Sequence, residues 1–266
     1  MWDPVVYRRF GSERSRPFFD LVGRVGAESP RAVVDLGCGP GELTLSLAER
    51  WPRARLSGVD SSPEMIGKAV AHGGPASFAV GDVRDWRPGP DIDVLVTNAT
   101  LQWVPEHREL LGRWARELPP GAWLAMQVPG NFDAPSHRLL REVAAREAYA
   151  VGHVLREAPV DDAAGYAALL TGLGATVDAW ETTYVHLLGE QPGAEHPVLR
   201  WMEGTALRPV KAALDENAWQ AYRAELGREL AAAYPAAHGY VAFPFRRVFV
   251  VAQLRGGADR RLEGKS

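Results

Sequence analysis

The stretch Val33-Val34-Asp35-Leu36-Gly37-Cys38-Gly39-Pro40-Gly41-Glu42-Leu43-Thr44 decides the fold. A β-branched apolar run stops at three alternate glycines and an amphipathic segment follows, which reads as a strand, a tight turn and a helix start. Alternate glycines remove side chains where backbone must come close to a ligand. A dinucleotide fingerprint requires glycine three residues after Gly39, where Glu42 stands, and a phosphate-binding P-loop requires a Gly-Lys-Ser/Thr ending that this stretch lacks. A carboxylate beside the turn suits a cationic group better than a pyrophosphate.

Working outward, residues 54–60 read as the next strand, closed by Asp60, the position at which nucleotide-binding α/β folds place the carboxylate that accepts from ribose hydroxyls. Ser61-Ser62-Pro63-Glu64-Met65 then opens a helix with a serine cap, proline in the first turn and an early glutamate. Residues 78–83 end a third strand at Asp82 and Val83, and 91–98 form a fourth, with Asn98 and Ala99 at its carboxyl end. Any one of these acids is as easily a turn or cap residue. Four segments in order, each ending where an open α/β sheet binds ligands, outweigh that reading. An amphipathic helix over 106–118 and a fifth strand over 122–128 continue the alternation, so the expected core is a doubly wound, mostly parallel sheet with right-handed crossovers. After Pro129 the rhythm changes: helix over 136–159, helix over 161–173, a long strand over 176–188, a helical insertion over 197–234 and a last strand over 245–254. The expected organisation is an N-terminal helical lid (1–30), a ligand-binding core (31–133), the rest of the sheet with helical cap insertions (134–254) and a disordered tail (255–266).

The 266 residues carry 46% hydrophobic side chains and a formal net charge of −3, ample for a core and without the basic excess of a nucleic-acid surface. No run of about 20 apolar residues would span a membrane, and no export signal follows the basic amino-terminal stretch. The single cysteine, Cys38, fits a reducing compartment and reads as a small side chain filling the turn. A cytoplasmic monomer without nucleic-acid or membrane partners is the expectation. None of the seven histidines has metal-ligand spacing and there is no Gly-x-Ser-x-Gly elbow, so neither metal ligands nor a nucleophile are expected.

The acid before the glycines, the Gly-x-Gly-x-Gly run and the acid after it resemble motif I of the S-adenosylmethionine-dependent methyltransferases. The resemblance narrows along nearly the whole chain, in Trp2-Asp3-Pro4, Tyr7, Arg14, Asp60-Ser61-Ser62-Pro63-Glu64-Met65, Gly81-Asp82-Val83-Arg84-Asp85-Trp86, Gln127-Val128-Pro129-Gly130-Asn131-Phe132, Trp180-Glu181-Thr182-Thr183-Tyr184 and Phe243-Pro244-Phe245-Arg246-Arg247. On these motifs the chain is similar to the trans-aconitate 2-methyltransferase family. Asn98-Ala99-Thr100-Leu101 stands where a DNA base methyltransferase would carry Asn/Asp-Pro-Pro-aromatic, and Thr100-Leu101-Gln102-Trp103 departs by one residue from the family's Ala-Leu-His/Gln-Trp.

The resemblance implies a Rossmann-like class I methyltransferase sheet of seven strands and S-adenosylmethionine as cofactor. Asp35, Gly37, Gly39, Gly41, Asp60, Ser61, Met65, Asp82, Val83 and Asn98 would hold it, the glycines along the methionine portion, Asp60 on the ribose and Asp82 on the adenine amino group. It further implies methyl transfer to a carboxylate of trans-aconitate; a methyltransferase acting on another small molecule is the alternative. An NAD-dependent oxidoreductase is disfavoured by Glu42, and a non-catalytic binding protein by the intact motif. A carboxylate is ionised at neutral pH and needs no base, so no catalytic residue is expected beyond those that position the reactants. A tri-anion calls for arginine forks. Substrate-binding candidates are Arg14, Tyr7, Trp103, Tyr184, Arg246 and Arg247, with Arg208 and Trp201 behind them, although each is as easily a surface or core residue. Arg246 and Arg247 are neighbours on a strand, so at most one lines a site.

Overall fold

The alternation of apolar and amphipathic segments resolves, in a computed structural model that describes residues 15–255 except 157 and 192, into one seven-stranded sheet with flanking helices. The helices are α1 (Arg16–Gly23), α2 (Glu42–Arg50), α3 (Pro63–Ala71), α4 (His107–Glu117), α5 (Pro135–Ala144), α6 (Ala163–Thr171), α7 (Pro197–Glu203), α8 (Arg208–Ala213) and α9 (Glu216–Ala233). The strands are β1 (Ala32–Leu36), β2 (Arg55–Asp60), β3 (Ala76–Val80), β4 (Ile92–Asn98), β5 (Trp123–Pro129), β6 (Ala175–Gly189) and β7 (Tyr240–Leu254).

The strand order is β3-β2-β1-β4-β5-β7-β6, and the four pairs from β3 to β5 are parallel. Every residue of β1 is buried, as is most of β4, which is why these strands read as unbroken apolar runs rather than alternating ones. The chain leaves β3 at one edge and re-enters on the far side of β1 as β4. The order therefore reverses between β1 and β4, and the carboxyl ends of those two strands frame the crevice where such sheets bind ligands. β7 pairs with the start of β5 through Leu254 and with its far end through Arg246 bonding Gly130, so it runs antiparallel to β5.

The residues group into two compact units, one made of residues up to 129 with 161–181 and those from 248, the other of 130–160 and 182–247. The first holds the sheet. In it α1 packs on β4 and β5, burying Phe18, Phe19, Leu21 and Val22. The second has a hydrophobic core of its own around Leu140, Val143, Trp219, Tyr222 and Phe243. No helix among the described residues is long and apolar enough to cross a membrane.

Two expectations need correction. The helix expected over 136–159 stops at Ala144, because the chain then turns back, with Val151 N–H donating to Ala144 O at 2.9 Å and Ala150 outside the helical region at φ 51°, and only a short 3-10 turn follows at Gly152–Val154. The insertion over 197–234 is helical and divides into three helices, with breaks at Gly204 and at Asp215, whose carboxylate caps α9 by accepting from Ala218 N–H at 2.8 Å. The last strand begins at Tyr240, five residues before its expected start. Pro244 does not break it, because that stretch runs beyond the end of β5 and its exposed residue has no ladder bond to lose on that side. The tail over 256–266 lies outside the described residues.

Candidate functional site

The turn after β1 is sewn to the end of β2. The amides of Gly37 and Cys38 both donate to Val59 O, at 2.7 and 3.1 Å. Gly37 has φ 78°, and a Cβ there would run into the Thr100 side chain just past β4, so only glycine lets β1 and β4 close on each other at the switch point. Gly39 is the opposite case: φ is 55° and a Cβ would meet no atom of the described residues within 4 Å. Packing demands Gly37. At Gly39 only the positive φ favours glycine. Gly41 is the N-cap of α2 and Glu42 its first residue, lying exposed 3.7 Å from His72.

Asp35 sits beneath this turn, 3% exposed, accepting from Thr44 Oγ1 at 2.6 Å. Burial, with Asp60 nearby adding like charge, pushes its carboxyl up to about 7, although the Thr44 bond pulls the other way. Cys38 is buried against Gly58, and burial raises its thiol to about 12, so it fills space and carries no thiolate. Thr44, nine residues after Asp35 and on the inner face of α2, carries no motif of its own; only its hydrogen bond reveals its part.

Asp60 bridges two loops. One oxygen accepts from Gly39 N–H and the other from Ser62 N–H, both at 2.9 Å. Ser62 in turn caps α3 by accepting from Met65 N–H, and Pro63 follows as the first helical residue. Ser61 is exposed and Met65 half-buried beside it. Asp82 accepts from Arg84 N–H at 2.8 Å and pairs with its guanidinium at 3.1 Å, and Arg84 also reaches Glu106 at 2.5 Å. Val83 is buried next to Asp82. At the end of β4, Asn98 registers with Gln127 of β5, and its Oδ1 is buried with no hydrogen-bond partner among the described residues. Ala99 follows at φ 53°, a conformation an L-residue takes only at a cost, held by its N–H donating to Gln127 O at 2.9 Å. Among the ten residues expected to hold a cofactor, the glycines, Asp35, Asp60 and Asn98 thus stand on the carboxyl ends of β1, β2 and β4 and the turns that follow, with Asp82 and Val83 just after β3.

The substrate-binding candidates are more scattered. Tyr7 and Arg14 lie outside the described residues. Trp103 closes a 3-10 turn (Leu101–Trp103) and is 54% exposed. The other candidates belong to the second unit. Tyr184 is buried on β6. Trp201 stacks on His186 at 4.6 Å within the aromatic core around Phe243 and Phe245. Arg208 opens α8. Arg246 and Arg247 do point to opposite faces: Arg247 is buried with its guanidinium 4.6 Å over the Phe245 ring, while half-buried Arg246 donates to Gly130 O at 3.1 Å. Among the described residues no group of three or more His, Cys, Asp or Glu is placed to hold a metal ion.

A methyltransferase-domain family model matches residues 10–179. The trans-aconitate 2-methyltransferase of Rhodococcus jostii is 56% identical over 262 residues, covering 96% of this chain and all of that protein. The Mycobacterium tuberculosis protein of the same name is 52% identical, covering 98% of this chain and 99% of its own. Among solved structures, the YcgJ protein of Bacillus subtilis shares the fold with a TM-score of 0.59 at 12% identity, over 91% of this chain and 99% of that one. Phosphoethanolamine N-methyltransferase 2 of Haemonchus contortus, in complex with S-adenosylmethionine, does so at 0.54 and 15%, over 95% of this chain and 56% of that one. The chain belongs to the methyltransferase-domain family and, within it, to the trans-aconitate 2-methyltransferases.

Proposed function

We propose that this protein transfers a methyl group from S-adenosylmethionine to a carboxylate oxygen of trans-aconitate, giving a monomethyl ester and S-adenosylhomocysteine. The full-length likeness to the trans-aconitate 2-methyltransferases carries the substrate. The residues at the carboxyl edge fit the donor, a nucleoside bearing a cationic amino-acid arm. The unpartnered Asn98 Oδ1 offers a buried acceptor, the space over Gly39 admits a ligand against bare backbone, and Asp60 and Asp82 keep acceptor capacity beyond their present bonds. Asp35, Gly37, Gly41, Ser61, Met65 and Val83 complete the set we assign to it.

S-adenosylmethionine supplies an electrophilic methyl group on a sulfonium. The acceptor carboxylate is already anionic, so the chain has no proton to remove. Its residues act by binding, by aligning oxygen with carbon and sulfur, and by excluding water. We assign the acceptor's carboxylates to Arg246 or Arg247 and to Arg14, with Tyr7, Trp103 and Tyr184 as walls and the insertions within 134–254 as a cap. The balanced composition and the single buried cysteine support a cytoplasmic monomer acting on a free small molecule.

A radiolabelled methyl-transfer assay across trans-aconitate, cis-aconitate, citrate and isocitrate, with a catechol and a fatty acid as outsiders, tests the reading. Transfer to trans-aconitate is the expected result. Transfer to an outsider with none to any polycarboxylate rejects it in favour of another small-molecule acceptor.

A further inference from the structure

The turn after β4 holds a conformation that its own residues do not favour. Ala99 lies at φ 53°, and both of its backbone polar groups are tied down. Its N–H donates to Gln127 O at 2.9 Å, and its carbonyl accepts from Gln102 Nε2 at 2.6 Å. Gln102 stands in the 3-10 turn Leu101–Trp103, which Leu101 anchors by complete burial, so its amide reaches Ala99 from a fixed point. Thr100 Oγ1 donates to Asn98 O at 3.2 Å, and the same side chain fills the place that a Cβ on Gly37 would need. The strained turn is therefore pressed against the glycine turn after β1. Just before it, Asn98 Oδ1 is buried with no hydrogen-bond partner among the described residues.

An L-residue persists at positive φ only where its surroundings over-determine it, and such positions collect where a ligand needs a fixed geometry. A buried amide oxygen without a donor is costly until a ligand supplies one. We propose that Gln102 is a positioning residue for the methyl donor: by holding Ala99 O it keeps Asn98 Oδ1 where the donor's ammonium group arrives. This rests on S-adenosylmethionine being the cofactor, as argued above. The hydrogen-bond donors of that molecule are its adenine amino group, its ribose hydroxyls and its ammonium. Asp82 and Asp60, after β3 and at the end of β2, are assigned to the first two. Asn98 adjoins the glycines assigned to the methionine portion, which leaves the ammonium for its oxygen. Gln102 acts through Ala99 and Asn98 rather than on the reacting atoms. Released from Gln102, the Ala99 backbone relaxes towards negative φ, and Asn98 on the preceding residue moves with it.

The test is calorimetry of the full chain with S-adenosylhomocysteine and with 5′-methylthioadenosine, which has the nucleoside but no amino-acid arm. Gln102→Met keeps the length of the side chain and loses the hydrogen bond. It should raise Kd for S-adenosylhomocysteine about tenfold and Kd for 5′-methylthioadenosine less than about twofold. The strain supplies a second readout. Glycine holds φ 53° without a Cβ to strain, so beside Ala99→Gly the Gln102→Met change should lose most of its effect. A residue that merely packs the turn would keep its full penalty there. Should Gln102→Met fail to fold, Gln102→Asn decides: it keeps an amide but, one methylene shorter, cannot reach Ala99 O, and the same split between the two ligands is expected. A native Kd for S-adenosylhomocysteine in the folded variant, an equal penalty on both ligands, or an undiminished penalty beside Ala99→Gly overturns the assignment while the cofactor reading stands. A native chain that binds neither ligand overturns the cofactor reading, and this assignment with it.

Discussion

The two units bury opposite charges. In the sheet unit the buried charge is an acid, Asp35, beneath a turn whose contacts are mostly backbone: amides of Gly37, Cys38, Gly39 and Ser62. In the other unit it is a base, Arg247, lying over Phe245 in a core rich in aromatic side chains. An acid beside an open backbone turn suits a cationic ligand. Arginines against aromatic rings suit a planar anion. In the proposed reaction the methyl donor is a sulfonium and the acceptor a carboxylate, so each unit carries the sign that suits one of them. The turn has little freedom to drift in sequence, since backbone geometry makes it. The other unit is built from side chains and admits many solutions.

The most damaging way to break this contrast is at the turn. Gly37→Ala must adopt φ near 78° and displace Thr100, and should cost about 2–4 kcal/mol of stability in denaturant unfolding. Gly39→Ala should cost only about 1 kcal/mol of stability, for its positive φ, yet weaken cofactor binding in calorimetry. Unchanged affinity there would mean that the space above Gly39 is not ligand space.

In the second unit, Arg247→Met should lower kcat/KM for the acceptor by about 2–3 kcal/mol, because a substrate carboxylate would lose its partner in a dry setting. Arg246→Met, on the other face, should change it less than threefold. Equal effects would erase the face distinction.

Asp60→Ala removes the acceptor that ties Gly39 to Ser62, and should weaken the cofactor by about 1–3 kcal/mol with the acceptor KM held. A rise confined to the acceptor KM would put Asp60 in the wrong unit's chemistry.

Asp35→Asn sharpens the comparison through pH. The folded carboxyl titrates near 7, above its unfolded value near 4, so the native state binds more protons in that window and loses stability as pH rises through it. Asn carries no such penalty and keeps an acceptor for Thr44. The variant should be about 1–2 kcal/mol more stable than the native chain at pH 8, with the gain vanishing near pH 4, and should bind the cationic donor more weakly. Native cofactor affinity should correspondingly fall below pH 7, while kcat stays flat from pH 7 to 9 because the acceptor needs no base. A steep kcat rise in that range would point to a phenol or amine acceptor.

Much of the sheet unit was legible because its signals are local. The strand, the alternate glycines and the helix start lie within twelve consecutive residues, and Asp60 and Ser62 follow one crossover later at spacing set by the βαβ unit. What the motif did not disclose was the division of labour among its glycines, since Gly37 answers to Thr100, sixty-three residues away. Arg246 and Arg247 could be separated by face from strand periodicity, though not assigned to a site. The last strand was placed five residues short at its start, because Pro244 lies beyond the end of β5, where its missing N–H costs no ladder bond, and the sequence does not show where β5 ends.

The amino-acid sequence by itself determined the order of strands and helices through β5, the glycine turn after β1, the acids that surround it and the family. Those follow from propensity, periodicity and short-range chain geometry, which act over a few residues. Only the tertiary structure decided that Asp35 is buried and hard to ionise, that Asn98 Oδ1 has no hydrogen-bond partner among the described residues, and that Phe132, Arg141 and Arg156 meet while Phe245 sets His137 and Arg247 around a second ring. Burial and electrostatic field belong to groups brought together from separate elements, as His137 of α5 and Phe245 of β7 are, and no spacing along the chain encodes them.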